Sequence, residues 1–284
     1  MKKKINKLEY NIKPFLKWAG GKRKLLSKIQ NYIPKEFSIY YEPFVGGGAV
    51  LFYLLPKKAV ISDVSEELIN VYWVIKNNID ELIEDLKRHK NEKEYYYKIR
   101  ALDREKGFDN FSNILKASRI IYLNKTCYNG LFRVNRKGYF NVPFGRYKNP
   151  DIVNEENLRS VSQYFNENSI EILNTDFEDA LKNVKKGDFV YLDPPYHPIS
   201  ETSSFTSYTN NGFNEKEQIR LKKVCDKLNQ IGCKFLLSNS DSNLVMDLYK
   251  DYRETIEKVQ VPRSINCKAS RRGKINEVLI RNYD

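Results

Sequence analysis

Ile39-Tyr40-Tyr41-Glu42-Pro43-Phe44-Val45-Gly46-Gly47-Gly48-Ala49-Val50-Leu51-Phe52, followed by Ala59-Val60-Ile61-Ser62-Asp63, is the stretch that decides the fold. Its first residues read as a short apolar strand, the three glycines as a tight turn, and Ala49 onward as the start of a helix. A second apolar strand then ends in an acid. In doubly wound α/β sheets the loop after the first strand lets a ligand approach the backbone, and an acid ending the second strand can hydrogen-bond a ribose. Asp63 follows Gly46 at a suitable distance for that role. Leu51 occupies the place of the third glycine of a dinucleotide fingerprint, so a nucleoside cofactor without a pyrophosphate fits better than NAD. A glycine turn alone is often only a turn, and the rest of the chain has to support the reading.

Working outward, Phe15 to Lys22 reads as a turn into a helix carrying Leu25, Leu26, Ile29 and Ile33. Ser65 is placed to cap a helix that shows Leu68, Val71, Tyr72 and Ile75 on one face, and Ile79, Leu82, Ile83 and Leu86 mark another. Apolar runs at 170–173, 188–192, 234–238 and 278–280 predict further strands. Strands alternating with helices imply one α/β sheet core. The middle third interrupts it. Phe111, Ile114, Leu115, Ile121 and Tyr122 have helical spacing, but from Lys125 to Pro150 the chain is polar, aromatic and rich in Gly and Asn. Asn135-Arg136-Lys137-Gly138, between Leu131–Val134 and Tyr139–Val142, predicts a β-hairpin. The expected organisation is a core of residues 1–78 and 165–284 with residues 79–164 inserted.

The 284 residues carry a formal net charge of +13, which suggests a polyanionic partner when the charge is patterned. It is patterned here. Between Phe111 and Pro150 there is no Asp or Glu, while Lys116, Arg119, Lys125, Arg133, Arg136, Lys137, Arg146 and Lys148 fall in that window. A second acid-free stretch runs from Lys258 to Asn276. Arg263 to Lys274, within it, suits either phosphate contact or a solvated loop. No apolar stretch approaches the roughly 20 residues of a bilayer span, and Met1-Lys2-Lys3-Lys4 is not followed by an apolar segment, so a cytoplasmic protein is expected. Cys127, Cys225, Cys233 and Cys267 form no Cys-x-x-Cys pair, and His89 and His197 lie far apart, which argues against a zinc site.

Asp193-Pro194-Pro195-Tyr196 directly follows the apolar run Phe189 to Leu192, where open α/β sheets place ligands. An aromatic amine is a poor nucleophile because its lone pair is delocalised into the ring. Two acceptors holding its hydrogens favour a pyramidal nitrogen and free that lone pair. The Asp193 carboxylate and the Pro194 carbonyl can supply them, and the prolines, lacking N–H groups, present only acceptors. Tyr196 offers a face on which a base can stack. His197 reads as a loop residue and not a general base.

Phe15 to Lys22 (FLKWAGGK), Glu42 to Phe52 (EPFVGGGAVLF), Asn124 to Pro150 and Asp193 to Tyr196 (DPPY) together resemble the Dam family of adenine-N6 DNA methyltransferases acting on GATC, including the DpnM-type enzymes. The similarity runs in family order over nearly the whole chain. It implies a Rossmann-like sheet that binds S-adenosyl-L-methionine (AdoMet), with an inserted helical and β-hairpin target-recognition domain. It further implies that Trp18, Lys22, the Phe44 to Gly48 loop with Gly46 and Gly48, Asp63, Asp176, Phe177 and Asp193 serve the cofactor. Lys22 would lie near its carboxylate, Asp63 at the ribose, and Asp176 and Phe177 at the adenine. Asp193 and Pro194 would hold the target amine and Tyr196 would stack on the flipped base.

For double-stranded DNA, the resemblance makes Arg133 the bidentate reader of a guanine. Leu131 and Pro143 contact base edges, Tyr128 wedges beside the flipped adenine, and Asn129 helps hold the opened duplex. Lys17 reads the outer guanine, and Arg146 and Tyr147 take phosphates. The segment 197–213 is expected to be mobile and to order over substrate. No metal is implied, the family works as a monomer or weak dimer, and a cognate restriction endonuclease is a possible partner. Cytosine N4, RNA, another DNA sequence or a silent DNA-binding regulator remain rivals. Asp193 in place of serine favours adenine, and a hairpin of major-groove readers is of no use on A-form RNA.

Overall fold

The computed structural model describes residues 12–199, 213–262 and 274–284. The expected alternation is present. β1 (Tyr40–Glu42), β2 (Lys58–Asp63), β3 (Ser169–Asn174), β4 (Phe189–Leu192), β5 (Lys234–Ser240), β6 (Ile256–Pro262) and β7 (Lys274–Arg281) form one seven-stranded sheet in the order β3-β2-β1-β4-β5-β7-β6. β1 pairs in parallel with both β2 and β4, β4 with β5, and β7 then runs antiparallel to β5 and β6. Four consecutive buried residues make up β4, the continuous apolar run required of a parallel strand covered on both faces. The order reverses at β1, so the loops leaving β1 and β4 emerge at a topological switch point, where such sheets hold ligands. β6 carries no apolar run and was not legible in the sequence.

Helix starts follow the expected chemistry. The Ser65 hydroxyl accepts from the Leu68 N–H and caps α3 (Glu66–Asn77), which buries Leu68, Val71, Tyr72 and Ile75. Ser112 caps α6 (Asn113–Thr126) in the same way, and Asn214 caps α9 (Glu215–Gln230). The opening glycines lead only to a single turn, α2 (Leu51–Leu54); Lys22–Lys24 forms a short 3-10 turn, and the helix expected over Leu25 to Ile33 is one helical turn, α1 (Leu26–Ile29). α4 (Ile79–Leu86), α5 (Lys93–Ala101), α7 (Glu155–Glu167), the short α8 (Phe177–Ala180) and α10 (Asn243–Leu248) complete the described helices.

The chain packs as two compact units. One comprises residues 12–21, 45–57 and 62–175; the other comprises 22–44, 58–61 and the described residues from 176 onward. In the first, α3 packs on α6 and α7, and α4 on α6. The predicted hairpin is reduced there to one antiparallel bridge, Val134 to Phe140, closed by Asn135 N–H donating to the Tyr139 carbonyl and Asn141 N–H donating to that of Arg133. Side chains, and not a long ladder, hold it. In the second unit Tyr41, Val190, Leu192, Leu221, Cys225, Leu228, Phe235, Leu237 and Ile280 form a buried core.

Candidate active site and nucleic-acid interface

In the second unit, the loop after β4 carries Asp193 to Tyr196. Lys22 is 6% exposed, and its Nζ lies 2.7 Å from Asp193 Oδ1 and 4.6 Å from the centre of the Tyr196 ring. The Asp193 side chain retains 17% of its surface, and its buried Oδ1 has no hydrogen-bond partner beyond that ion pair. Burial pushes the Asp193 carboxyl up to about 6, against the opposing pull of Lys22, and Glu277 adds to the rise. Pro194 is buried. The Tyr196 hydroxyl donates to Glu277 Oε2 at 2.7 Å, and burial raises its pKa well above the ordinary phenol value. Glu277, on β7, was invisible to sequence reasoning because only the fold brings that strand to this loop.

The same unit gathers Phe44, Asp176 and Phe177. Phe44 stacks on Phe177 with ring centres 5.4 Å apart, and Phe213 packs edge-on against Phe44 at 5.8 Å. Asp176 caps α8 by accepting from the Glu178 N–H. Arg220, from α9, pairs with Asp176, Glu178 and Glu217, and its guanidinium lies 4.4 Å from the centre of the Phe177 ring. This cationic cover was not anticipated. His197 is held through Ser242, 3.1 Å from its Nδ1.

In the first unit, the glycine turn and Asp63 are joined directly. Asp63 Oδ2 accepts from the Gly46 N–H at 3.1 Å and Oδ1 from the Ser65 N–H at 3.0 Å, and burial still raises the carboxyl above its ordinary value. Gly48 has φ +69°, and a Cβ there would meet Phe52 and the Tyr72 hydroxyl at 2.8 Å, so no other residue fits. A Cβ at Gly46, φ +48°, would meet the Trp18 ring at 3.0 Å. Trp18 itself stacks on Phe132 at 4.6 Å and 25°.

That unit also brings together the expected DNA readers. Asn124 accepts from the Lys17 N–H at 2.9 Å and donates to the carbonyls of Lys17 at 2.8 Å and Gly130 at 3.1 Å. It ties Lys17, over 100 residues away in sequence, to the turn of Tyr128 and Asn129. A Cβ at Gly130, φ +64°, would meet Lys17 Cδ at 2.5 Å, so the approach depends on glycine. Lys17 Nζ lies 5.9 Å from the Tyr147 ring centre. Pro143 accepts at its carbonyl from the Tyr128 N–H. Lys17, Tyr128, Asn129, Pro143, Arg146 and Tyr147 are exposed, and Leu131 and Arg133 half-buried. Tyr128 is a large aromatic left 55% open.

Arg119 is a correction. Its place in the acid-free window suggests a phosphate contact, yet it is 2% exposed and pairs with Asp103 at 2.7 Å. Its charge belongs to the interior. Asp103 in turn accepts from the Phe140 N–H at 2.7 Å. The run Arg263 to Arg272 and most of 197–213 lie outside the described residues. Among the described residues, no helix is long and apolar enough to cross a membrane, and no group of three His, Cys, Asp or Glu is arranged for a metal.

A family model of D12 class N6 adenine-specific DNA methyltransferases matches residues 18–265, from Trp18 through the Asp193 loop and beyond. The chain belongs to that family. It is 49% identical over 281 residues to the Type II methyltransferase M1.LlaDCHI of Lactococcus lactis subsp. cremoris, covering 98% of each. It is 48% identical over 292 residues to the Type II methyltransferase M.MjaIII of Methanocaldococcus jannaschii, covering 96% of this chain and 99% of that one. To the DNA adenine methylase of Escherichia coli K12 it is 34% identical over 269 residues, covering 93% of each. This protein is therefore an AdoMet-dependent enzyme that methylates adenine N6 in DNA.

Proposed function

We propose that the enzyme acts on an adenine turned out of double-stranded DNA within GATC, and that Asp193, Pro194 and Tyr196 receive it. The single observation behind this is the loop after β4: one carboxylate with part of its surface open, one adjacent acceptor-only carbonyl, and one aromatic ring fixed by Glu277. The Asp193 carboxylate and the Pro194 carbonyl accept the two amine hydrogens. Tyr196 stacks on the base, at the worth of aromatic stacking on an unpaired base. Lys22 keeps Asp193 charged despite its burial.

The residues present fit AdoMet. Asp63, a buried carboxylate at a strand end, retains lone pairs for ribose hydroxyls beyond the two backbone bonds it accepts. In the first unit Gly46 and Gly48 would bring main chain close and Trp18 would give apolar surface; in the second, Phe44 would give apolar surface, Asp176 and Phe177 would suit an adenine, and Lys22 would suit a carboxylate. When bound, AdoMet would supply a methyl group activated by a sulfonium. The protein contributes alignment, the main source of acceleration in a direct transfer.

Residues 79–164 are proposed as the target-recognition insert. Arg133 reads guanine, Leu131 and Pro143 meet base edges, Lys17 reads the outer guanine, and Tyr128 and Asn129 hold the opened stack. Arg146 and Tyr147 position the phosphates without reading sequence. The type II relatives support a setting beside a restriction endonuclease of the same specificity. The test is transfer of labelled methyl to three duplexes: one with GATC, one scrambled, and one with GATC already N6-methylated. Label on the first alone is expected. Label on both unmethylated duplexes would remove the GATC assignment and leave the enzyme class standing.

A further inference from the structure

Pro194 and Pro195 give the catalytic loop no N–H groups, so the backbone donors that usually fix a turn are missing and its carbonyls need donors from elsewhere. Gln218, wholly buried on α9, supplies one: its Nε2 donates to the Pro195 carbonyl at 3.0 Å. Its Oε1 accepts from Asn239 Nδ2, also at 3.0 Å. Asn239, wholly buried on β5, accepts at Oδ1 from the N–H of His197 at 3.3 Å and of Ser240 at 2.8 Å. The Ser240 hydroxyl then donates to the His197 carbonyl at 2.6 Å. Two interlocked amides thus grip the loop on both sides of Tyr196. Their orientation is determined, because a flipped Gln218 would set oxygen against the Pro195 carbonyl and amine against amine.

We propose that Gln218 is a positioning residue for methyl transfer. By holding the Pro195 carbonyl it fixes the peptide planes of the loop and so the direction of the Pro194 carbonyl and the Asp193 carboxylate. Acceptors that must meet a reacting nitrogen need support of this kind, since displacement of about 1 Å costs roughly a hundredfold in rate. A satisfied buried network supplies rigidity, and a partly satisfied one does not. The inference rests on the reading that Asp193 and Pro194 hold the target amine.

The test is single-turnover methyl transfer to unmethylated plasmid DNA at saturating AdoMet, from about pH 6 to about pH 9. Wild type is compared with Gln218→Glu, Gln218→Met and Asp193→Ala, and AdoMet affinity is measured by calorimetry. Glu at 218 matches the shape of Gln but donates to the Pro195 carbonyl only when protonated. Its rate relative to wild type is expected to fall roughly tenfold as pH rises, with AdoMet affinity unchanged. Gln218→Met is expected to be slow at every pH. Asp193, Lys22, Tyr196, His197 and Glu277 around the loop, and Glu217 and Lys222 on α9, are common to wild type and to the uncharged Gln218→Met, whose pH profile shows what they contribute. A ratio independent of pH, or rates within about twofold of wild type for both variants, overturns the proposal. Wild-type turnover by Asp193→Ala would instead overturn the reading beneath it, whatever Gln218 does.

Discussion

The loop around Asp193 and the segment from Tyr128 to Tyr147 handle charge in opposite ways. In the loop, the ionisable groups that would do chemistry are sunk: Lys22 is buried, Asp193 nearly so, and burial moves the Asp193 carboxyl up to about 6. In the segment, most of the side chains that would meet DNA are exposed, with Leu131 and Arg133 half-buried, and the buried polar groups beside them grip backbone. Asn124 holds Lys17 and Gly130, and Tyr96 donates to the Val142 carbonyl. An interior charge gains reactivity from weak screening but costs desolvation free energy. A charge meant for phosphate works in water and needs only a fixed base. One region is organised to perturb its residues, the other to aim them.

The largest effect that would sharpen this contrast is at Asp193. Asp193→Ala is expected to lower the methyl-transfer rate by about a thousandfold or more while DNA binding, followed by fluorescence anisotropy, is retained. Next is the aiming scaffold. Asp103→Ala leaves the Arg119 charge and the Phe140 N–H without their buried partner, and is expected to cost about 3–5 kcal/mol in denaturant unfolding. A loss below about 0.5 kcal/mol, the range of ordinary surface changes, would show that the pair holds nothing.

A smaller effect belongs to Arg133, whose Nε donates to Asn141 Oδ1 at 2.6 Å, a bond that fixes the direction of the side chain. Arg133→Ala is expected to cost about 1–3 kcal/mol of discrimination at one guanine, read from kcat/KM on substituted duplexes, with AdoMet affinity unchanged. Undiminished preference for the site would refute the role.

The smallest is a shift in a pH profile. Asp193 is raised in the folded protein, so its neutral form favours folding below the ordinary carboxylate range, and that contribution is lost as pH rises through about 6. On the role proposed for Asp193, activity needs the ionised form and should fall as pH drops through the same value. Glu277 helps to raise it, so Glu277→Gln should move the acid limb of the rate profile to lower pH. An unmoved limb would mean that Glu277 acts on the Tyr196 ring alone.

The strand, glycine turn and acid at 39–63 were legible in the sequence because each is a local constraint. Apolar runs make buried parallel strands, Gly48 accepts a φ that side chains rarely adopt, and Asp63 ends its strand beside the turn it bonds. The Asp193 loop was legible for the same reason, two prolines and an acid after an apolar strand. The hairpin was only half legible, since the turn at Asn135 is local while its fixing by Asp103, Arg104 and Tyr96 is not. Arg119 misled because charge in sequence does not say which side of a helix meets a carboxylate.

The sequence by itself determined the class of fold, the order of its motifs and residue types suited to holding an aromatic amine. Only the tertiary structure decided that Glu277 meets Tyr196, that Gln218 and Asn239 hold the loop, and that Asn124 joins Lys17 to the recognition turn. The Glu277, Gln218, Asn239 and Lys17 contacts join residues 23 to 107 positions apart in the chain. A buried polar side chain has no periodicity or local turn rule to mark it. Its partner is set by where two elements come to lie, and that is settled when the sheet and helices pack.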